Sequence, residues 1–137
     1  MGNSNQKINT FLMFSGTAEE AMHHYTSVFE PSEIVSIIHY GPNQGGKEGT
    51  VLHATFSLKG QLFMCIDNSN GNDIAFTPAI SLFVTCDTEE EIDTVFKKLS
   101  DGGQVLMPLS ATPVSEKFGW VADKYGVTWQ LNLAKNK

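Results

Sequence analysis

The sequence contains no arginine; all nine of its basic residues are lysine. Without guanidinium groups the chain cannot make the bidentate clamp by which proteins commonly grip phosphates and carboxylates. Acidic residues number 15, so the formal net charge is −6. That charge argues against nucleic acid or an anionic membrane surface as the partner. Cysteine is scarce as well. Cys65 and Cys86 both sit inside apolar runs, and one possible bridge in a chain this long is no disulfide scaffold. Both are expected as buried thiols in a reducing compartment. No apolar stretch approaches the ~18 residues of a membrane-spanning helix, and Met1 to Thr10 is polar, without the apolar region of a secretory signal. The expected location is the cytoplasm. There is also no G-x-S-x-G, no P-loop and no His/Cys metal spacing.

What remains is globular. The 137 residues are 41% hydrophobic and 18% charged, which suits one ordinary domain able to bury roughly two thirds of its unfolded surface. Ile8 to Phe14 reads as a strand. Thr17 to Glu20 reads as a capping box, followed by Ala18, Ala21, Met22, Tyr25, Val28 and Phe29 on one helical stripe that Pro31 terminates. Ile34 to Tyr40 is a second strand, Gly41 to Gly49 a flexible loop, and Val51 to Leu58 an alternating strand that places Val51, His53, Thr55 and Ser57 on one side. Lys59-Gly60 is a two-residue hairpin turn into Leu62 to Asp67. Asn68 to Asp73 is the one plausible internal boundary.

The order then repeats. Ala79 to Cys86 is a strand, and Thr88 to Glu91 is a second capping box. Ile92, Val95, Phe96 and Leu99 form a helical stripe that Gly102-Gly103 stops. Val105 to Leu109 is a strand whose Pro108 demands an edge or a bulge. Phe118 to Asp123 and Val127 to Leu133 form a hairpin. Thr17 and Thr88 lie 71 residues apart, as do Glu20 and Glu91, while Gly60 and Gly126 lie 66 apart. The chain therefore reads as two copies of β-α-β-β-β, neither able to close its own core, so that the two are expected to share one.

Phe11 to Tyr25 (FLMFSGTAEEAMHHY), Val51 to Asp67 (VLHATFSLKGQLFMCID) and Gly119 to Leu133 (GWVADKYGVTWQLNL) resemble the PhnB-like subgroup of the vicinal oxygen chelate superfamily, which includes glyoxalase I, bleomycin-resistance proteins and extradiol dioxygenases. The resemblance covers nearly the whole chain. It implies one α+β domain over residues 1–137, with modules at about 8–67 and 79–133. In it a curved mixed sheet carries helices on its convex side and a ligand cavity on its concave side. Some relatives carry a demethylubiquinone methyltransferase label, but a methyltransferase of the usual kind needs a Gly-rich loop from strand to helix to cradle its cofactor, and Phe14-Ser15-Gly16-Thr17 is not one. Enzymes of the superfamily place a divalent metal in the cavity. The matching positions here are Thr10, Met64, Ser81 (or Ile80, if the register slips by one) and Gln130. Hydroxyls bind such metals weakly, a thioether is soft and an amide is neutral, so no tightly held metal and no cofactor are expected.

Other residues carry two readings each. His53 is either a structural hydrogen-bond partner or the best general acid or base in the chain. Gln130 shares a side with Thr128 and Asn132, and is either a solvated edge or a ligand-orienting amide. Trp120 is either an apolar anchor or a cavity wall that stacks a planar ligand, whereas Trp129 alternates with Leu131 and Leu133 as core. His53, Gln130 and Trp120 are expected to line one cavity. Adjacent His23 and His24 cannot chelate from one helix face. Asp67 and Asp123 are expected to cap turns, and Glu89 to Glu91 to favour a helix N-terminus. The expected function is metal-independent binding of a small molecule. The alternative is a lyase, isomerase or dioxygenase using a metal at a degenerate site. A homodimer is expected, because the Ile34 to Tyr40 edge has little charge to protect it, unless the first helix and the Gly41 to Gly49 loop cover that edge.

Overall fold

The structure is a computed structural model and describes residues 6–68 and 74–135. The boundary segment expected at Asn68 to Asp73 and the first half of the polar N-terminus therefore lie largely outside the described residues. The chain divides into two compact units, Met1–Ile74 and Ala75–Lys137. Each repeats the same order of elements. The first holds β1 (Thr10–Phe14), α1 (Ala18–Val28), β2 (Ser32–His39), β3 (Val51–Leu58) and β4 (Gln61–Asp67). The second holds β5 (Ser81–Cys86), α2 (Glu89–Ser100), β6 (Gln104–Ser110), β7 (Ser115–Ala122) and β8 (Thr128–Ala134). The sheets have equivalent strand orders, β1-β4-β3-β2 and β5-β8-β7-β6. In each, the first strand runs parallel to the last and the other pairs are antiparallel. This is the duplicated α+β architecture that the sequence pattern implies.

Each helix buries its apolar stripe on one side of its own sheet. In the first unit Ala18, Ala21, Met22, Tyr25 and Val28 are buried, and Tyr25 stacks on Phe56, which stacks on Phe63 at 5.3 Å between ring centres. In the second unit Ile92, Val95 and Leu99 meet a sheet side containing Val121, Trp129 and Leu131. Each fully buried side chain of this size stabilises by roughly 1.5–3 kcal/mol. Cys65 and Cys86 are not joined in a disulfide, and both are buried. Burial, and then the Asp67 carboxylate nearby, push the Cys65 thiol up to about 12.

The turns follow their residues. Lys59 and Gly60 both have positive φ, at 52° and 84°, as a two-residue turn between right-twisted strands requires. Pro108 lies on edge strand β6 and within an irregular stretch of its register, satisfying both of its constraints. Strict alternation in β3 fails at its start. The register shifts between Ile38 and His39, and Val51 is fully buried instead of sharing the half-buried state of His53.

The two helix starts differ despite their matching T-x-x-E patterns. Thr88 Oγ1 accepts from the Glu91 amide at 3.0 Å, and Glu91 reaches back to the Asp87 amide. Thr17 makes no such bond, which corrects the expected first capping box. Asp67 takes its place. Its Oδ1 accepts from the amides of Gly16 and Ala18, and its Oδ2 from that of Val51. Asp67 is 3% exposed and so caps a helix, not a turn. Asp123 does hold its turn. It accepts from the Tyr125 and Val127 amides, and its other oxygen takes the Trp129 indole N–H at 2.9 Å.

Candidate functional site

Side chains alternate across a strand, so the residues of each sheet that do not meet the helix form a second side. In the second unit, register places Phe83 beside Gln130, Gln130 beside Trp120, and Trp120 beside Met107. One row therefore crosses all four strands with two aromatic rings, an amide and a thioether, and no charge. Phe83 is 59% exposed, and its ring lies 6.4 Å from that of Phe118. One step along the strands, the Trp120 indole N–H donates to Ser81 Oγ at 3.1 Å, and Ser81 Oγ lies 2.7 Å from Thr128 Oγ1.

The first unit repeats this row as Phe11, Met64, Thr55 and Ser36. Phe11 is 48% exposed, and its ring lies 6.5 Å from His53. Tracing the rows makes Phe11 the counterpart of Phe83, and His53 the counterpart of Phe118. His53 therefore fills an aromatic position in the repeat. It and Gln130 are half-buried, and neither side chain makes a hydrogen bond to another described residue.

Of the residues singled out from sequence, Ser81, Trp120 and Gln130 share one side of the second sheet. Met64 and His53 share the equivalent side of the first. Thr10 does not join them. It pairs with Phe63 and alternates with Leu12 and Phe14, toward the helix. By register its counterpart is Leu82, which pairs with Trp129, and not Ser81 or Ile80. Ile80 is 81% exposed just ahead of β5. The four positions carried over for a metal therefore do not gather on equivalent sides, and Ser81 already accepts the Trp120 N–H. Among the described residues no three His, Cys, Asp or Glu side chains gather closely enough to hold a metal ion, so the residues present do not fit the metal that the fold implies. Sequence reasoning missed Phe11, Phe83 and Phe118. Their signal was alternation with Ser81 and Trp120, and the shared rows.

The loop ahead of α1 is likewise committed. Its Gly16 and Ala18 amides already donate to the Asp67 carboxylate, so they are not free to hold a ligand. Elsewhere in this unit, two open depressions of about 680 and 340 Å³ lie around Pro31 and Ser32. Neither is lined by Thr10, His53, Met64, Ser81, Trp120 or Gln130.

The profile of the 3-demethylubiquinone-9 3-methyltransferase family matches residues 6–132. The chain belongs to this family. A putative 3-demethylubiquinone-9 3-methyltransferase, a PhnB protein from Bacillus cereus, is 66% identical. The match covers 94% of this chain and 100% of that one, with a TM-score of 0.90. At 24% identity, a Pseudomonas aeruginosa protein shares the fold with a TM-score of 0.85, over 96% of this chain and 100% of its own. So does a glyoxylase/bleomycin resistance protein/dioxygenase domain from Frankia sp., at 14% identity and a TM-score of 0.68, over 97% and 100% of the two chains. The last two likenesses, both under 25% identity, are likenesses of fold. Among curated proteins, none matches the chain.

Proposed function

We propose that this chain binds a small molecule without the help of a tightly held divalent metal. The observation that carries the reading is that half-buried His53 and Gln130, with no side-chain hydrogen bond among the described residues, are each set among aromatic and thioether side chains on the sheet side away from its helix. Such positions suit ligand recognition, in which a few polar groups orient a molecule against an apolar wall. Met64 completes the proposed lining in the first unit, and Ser81 and Trp120 complete that of the second. Thr10, on its helix-facing side, drops out of it. The methyl transfer in the family's name finds no support in the β1–α1 loop, whose amides are taken by Asp67.

Metal analysis of protein purified without chelators tests the reading. The expected result is no stoichiometric zinc, iron, manganese or nickel after dialysis. Retained metal would replace it with a metal-dependent lyase, isomerase or dioxygenase. A native mass spectrum of protein taken from lysate is expected to show a co-purified small molecule.

We further propose a cytoplasmic homodimer. No helix among the described residues is long and apolar enough to cross a membrane. The edge strand β2 leaves Val35 and Ile38 half exposed, surface that a symmetric partner would cover. Sedimentation equilibrium at micromolar concentration is expected to give twice the 15.0 kDa chain mass; a single species at that mass would remove the dimer.

A further inference from the structure

Three hydroxyl and indole groups in the second unit have their protons assigned by elimination. Thr128 Oγ1 donates to the Ile80 carbonyl at 3.0 Å. A hydroxyl has one proton, so Thr128 Oγ1 can only accept in its 2.7 Å bond with Ser81 Oγ. Ser81 therefore donates to Thr128, and it accepts from the Trp120 N–H. The chain runs one way, from Trp120 through Ser81 and Thr128 to Ile80. Thr128 is 2% exposed, so the relay is anchored in the interior. It fixes the edge of the indole that carries the nitrogen. Among the described residues no other aromatic ring stacks on Trp120.

The row in which that ring stands carries no charge. It contains Phe83, Gln130 and Met107, and the relay adds Ser81 and Thr128. The lysine of the same strand, Lys117, is engaged by Asp93 and Glu89 of α2. An anion would find no cation in this row, and a cation no carboxylate. We infer that Ser81 and Thr128 are positioning residues that hold the Trp120 indole as a stacking platform for an uncharged, planar aromatic ring system, with the Gln130 amide serving its polar edge. This rests on the small-molecule reading above and names the ligand's chemical class. It follows from the preference of aromatic rings for offset stacking and from the cost of burying an unpaired charge.

The test uses the full chain and two probes, coumarin and coumarin-3-carboxylate. In a ¹H–¹⁵N spectrum each tryptophan gives one indole N–H peak, and Trp129, buried and bonded to Asp123, is the internal control. Coumarin is expected to move the Trp120 peak and leave Trp129 in place, and the carboxylate is expected to bind no more tightly. Trp120→Leu should weaken coumarin roughly tenfold. Ser81→Ala should weaken it less, while displacing the Trp120 peak in the free protein, and Ser81→Thr should restore both. That peak displacement keeps the inference testable if Trp120→Leu fails to fold. An unmoved Trp120 peak, unchanged binding in either variant, or tighter binding of the carboxylate would overturn the inference. If only the carboxylate binds, the ligand class is wrong and the small-molecule reading stands. If neither binds and no small molecule co-purifies from lysate, both fall.

Discussion

The two halves have the same strand order and the same number of elements, yet they secure their helices differently. Helix α2 is capped from within, by Thr88 and Glu91. Helix α1 is capped from a distant strand, by Asp67 at the end of β4. The loops explain the difference. Phe14 and Cys86 end equivalent strands, but three positions separate Phe14 from Thr17 and only two separate Cys86 from Thr88. The extra residue in the first loop carries Gly16, at φ +102°, a conformation that glycine adopts without strain. Its amide turns to Asp67. A duplicated scaffold has thus turned one local cap into a long-range tie.

Substitutions can break this comparison. Asp67→Ala would strand the amides of Gly16, Ala18 and Val51 and is expected to destabilise by about 3 kcal/mol or more. Thr88→Ala removes one cap bond and should cost about 1 kcal/mol. Thr17→Ala, at the matching position, should cost less than ~0.5 kcal/mol, because its hydroxyl caps nothing. Urea denaturation of the three variants checks the order. Equal losses at Thr17 and Thr88 would show that both helices are capped alike.

A pH series sharpens the contrast further. Each half ties its helix to a strand by an exposed polar contact, but the shifted groups, Glu19 and Lys117, titrate at opposite ends of the scale. In the first, His39 Nε2 lies 2.7 Å from Glu19 Oε1, and this bond, with smaller contributions from the His39 and His23 charges, holds the Glu19 carboxyl below its usual 4.5. A depressed carboxyl contributes stability above its unfolded pKa and loses it as pH falls through the folded one. Glu19→Gln is therefore expected to flatten the acid limb below about pH 4.5, by under ~1 kcal/mol because the pair is exposed. In the second half, the hydrogen bonds that the Lys117 ammonium donates to Asp93 and then Glu89 raise it above 10.5. Its contribution is complete below 10.5 and disappears as pH rises through the raised value. Lys117→Met should flatten only the alkaline limb. Thermal melts across pH measure both.

The smallest expected effect is chemical. With its thiol pushed up to about 12 and both cysteines buried, the native protein should not react with a disulfide reagent at pH 8. Full labelling should appear only on unfolding.

Much of this fold was legible because apolar period and turn chemistry are local. The stripes on α1 and α2, the Lys59-Gly60 turn and the edge placement of Pro108 all follow from neighbouring residues. The first cap was not legible, since the same T-x-x-E pattern precedes both helices and the carboxylate that displaces Thr17 lies 51 residues from Gly16. The same extra loop residue misplaced Thr10. Helix positions correspond at an offset of 71, and carrying that offset back onto the first strands pairs Thr10 with Ser81. Register sets the strand offset at 72, which pairs it with Leu82. Within the candidate lining, the side of Gln130 was legible from alternation, whereas that of Trp120 comes only from its register with Gln130. The Ser81–Thr128 relay was not, because only the sheet brings 81 and 128 together.

The Asp67 tie also bears on the order in which the molecule forms. The bonds that cap α2 span three and four residues, so its N-terminus can close as soon as that segment of chain exists. The bonds that cap α1 span 51 and 49 residues. They cannot form until β4 has returned beside β1, and closing a loop of that length costs chain entropy before any contact offsets it. The first half must therefore assemble its sheet before its helix is finished, while the second can begin from its helix. Two copies of one topology would then reach the native state by opposite routes. In pulsed hydrogen exchange during refolding, the Glu91 amide should be protected before those of Gly16 and Ala18.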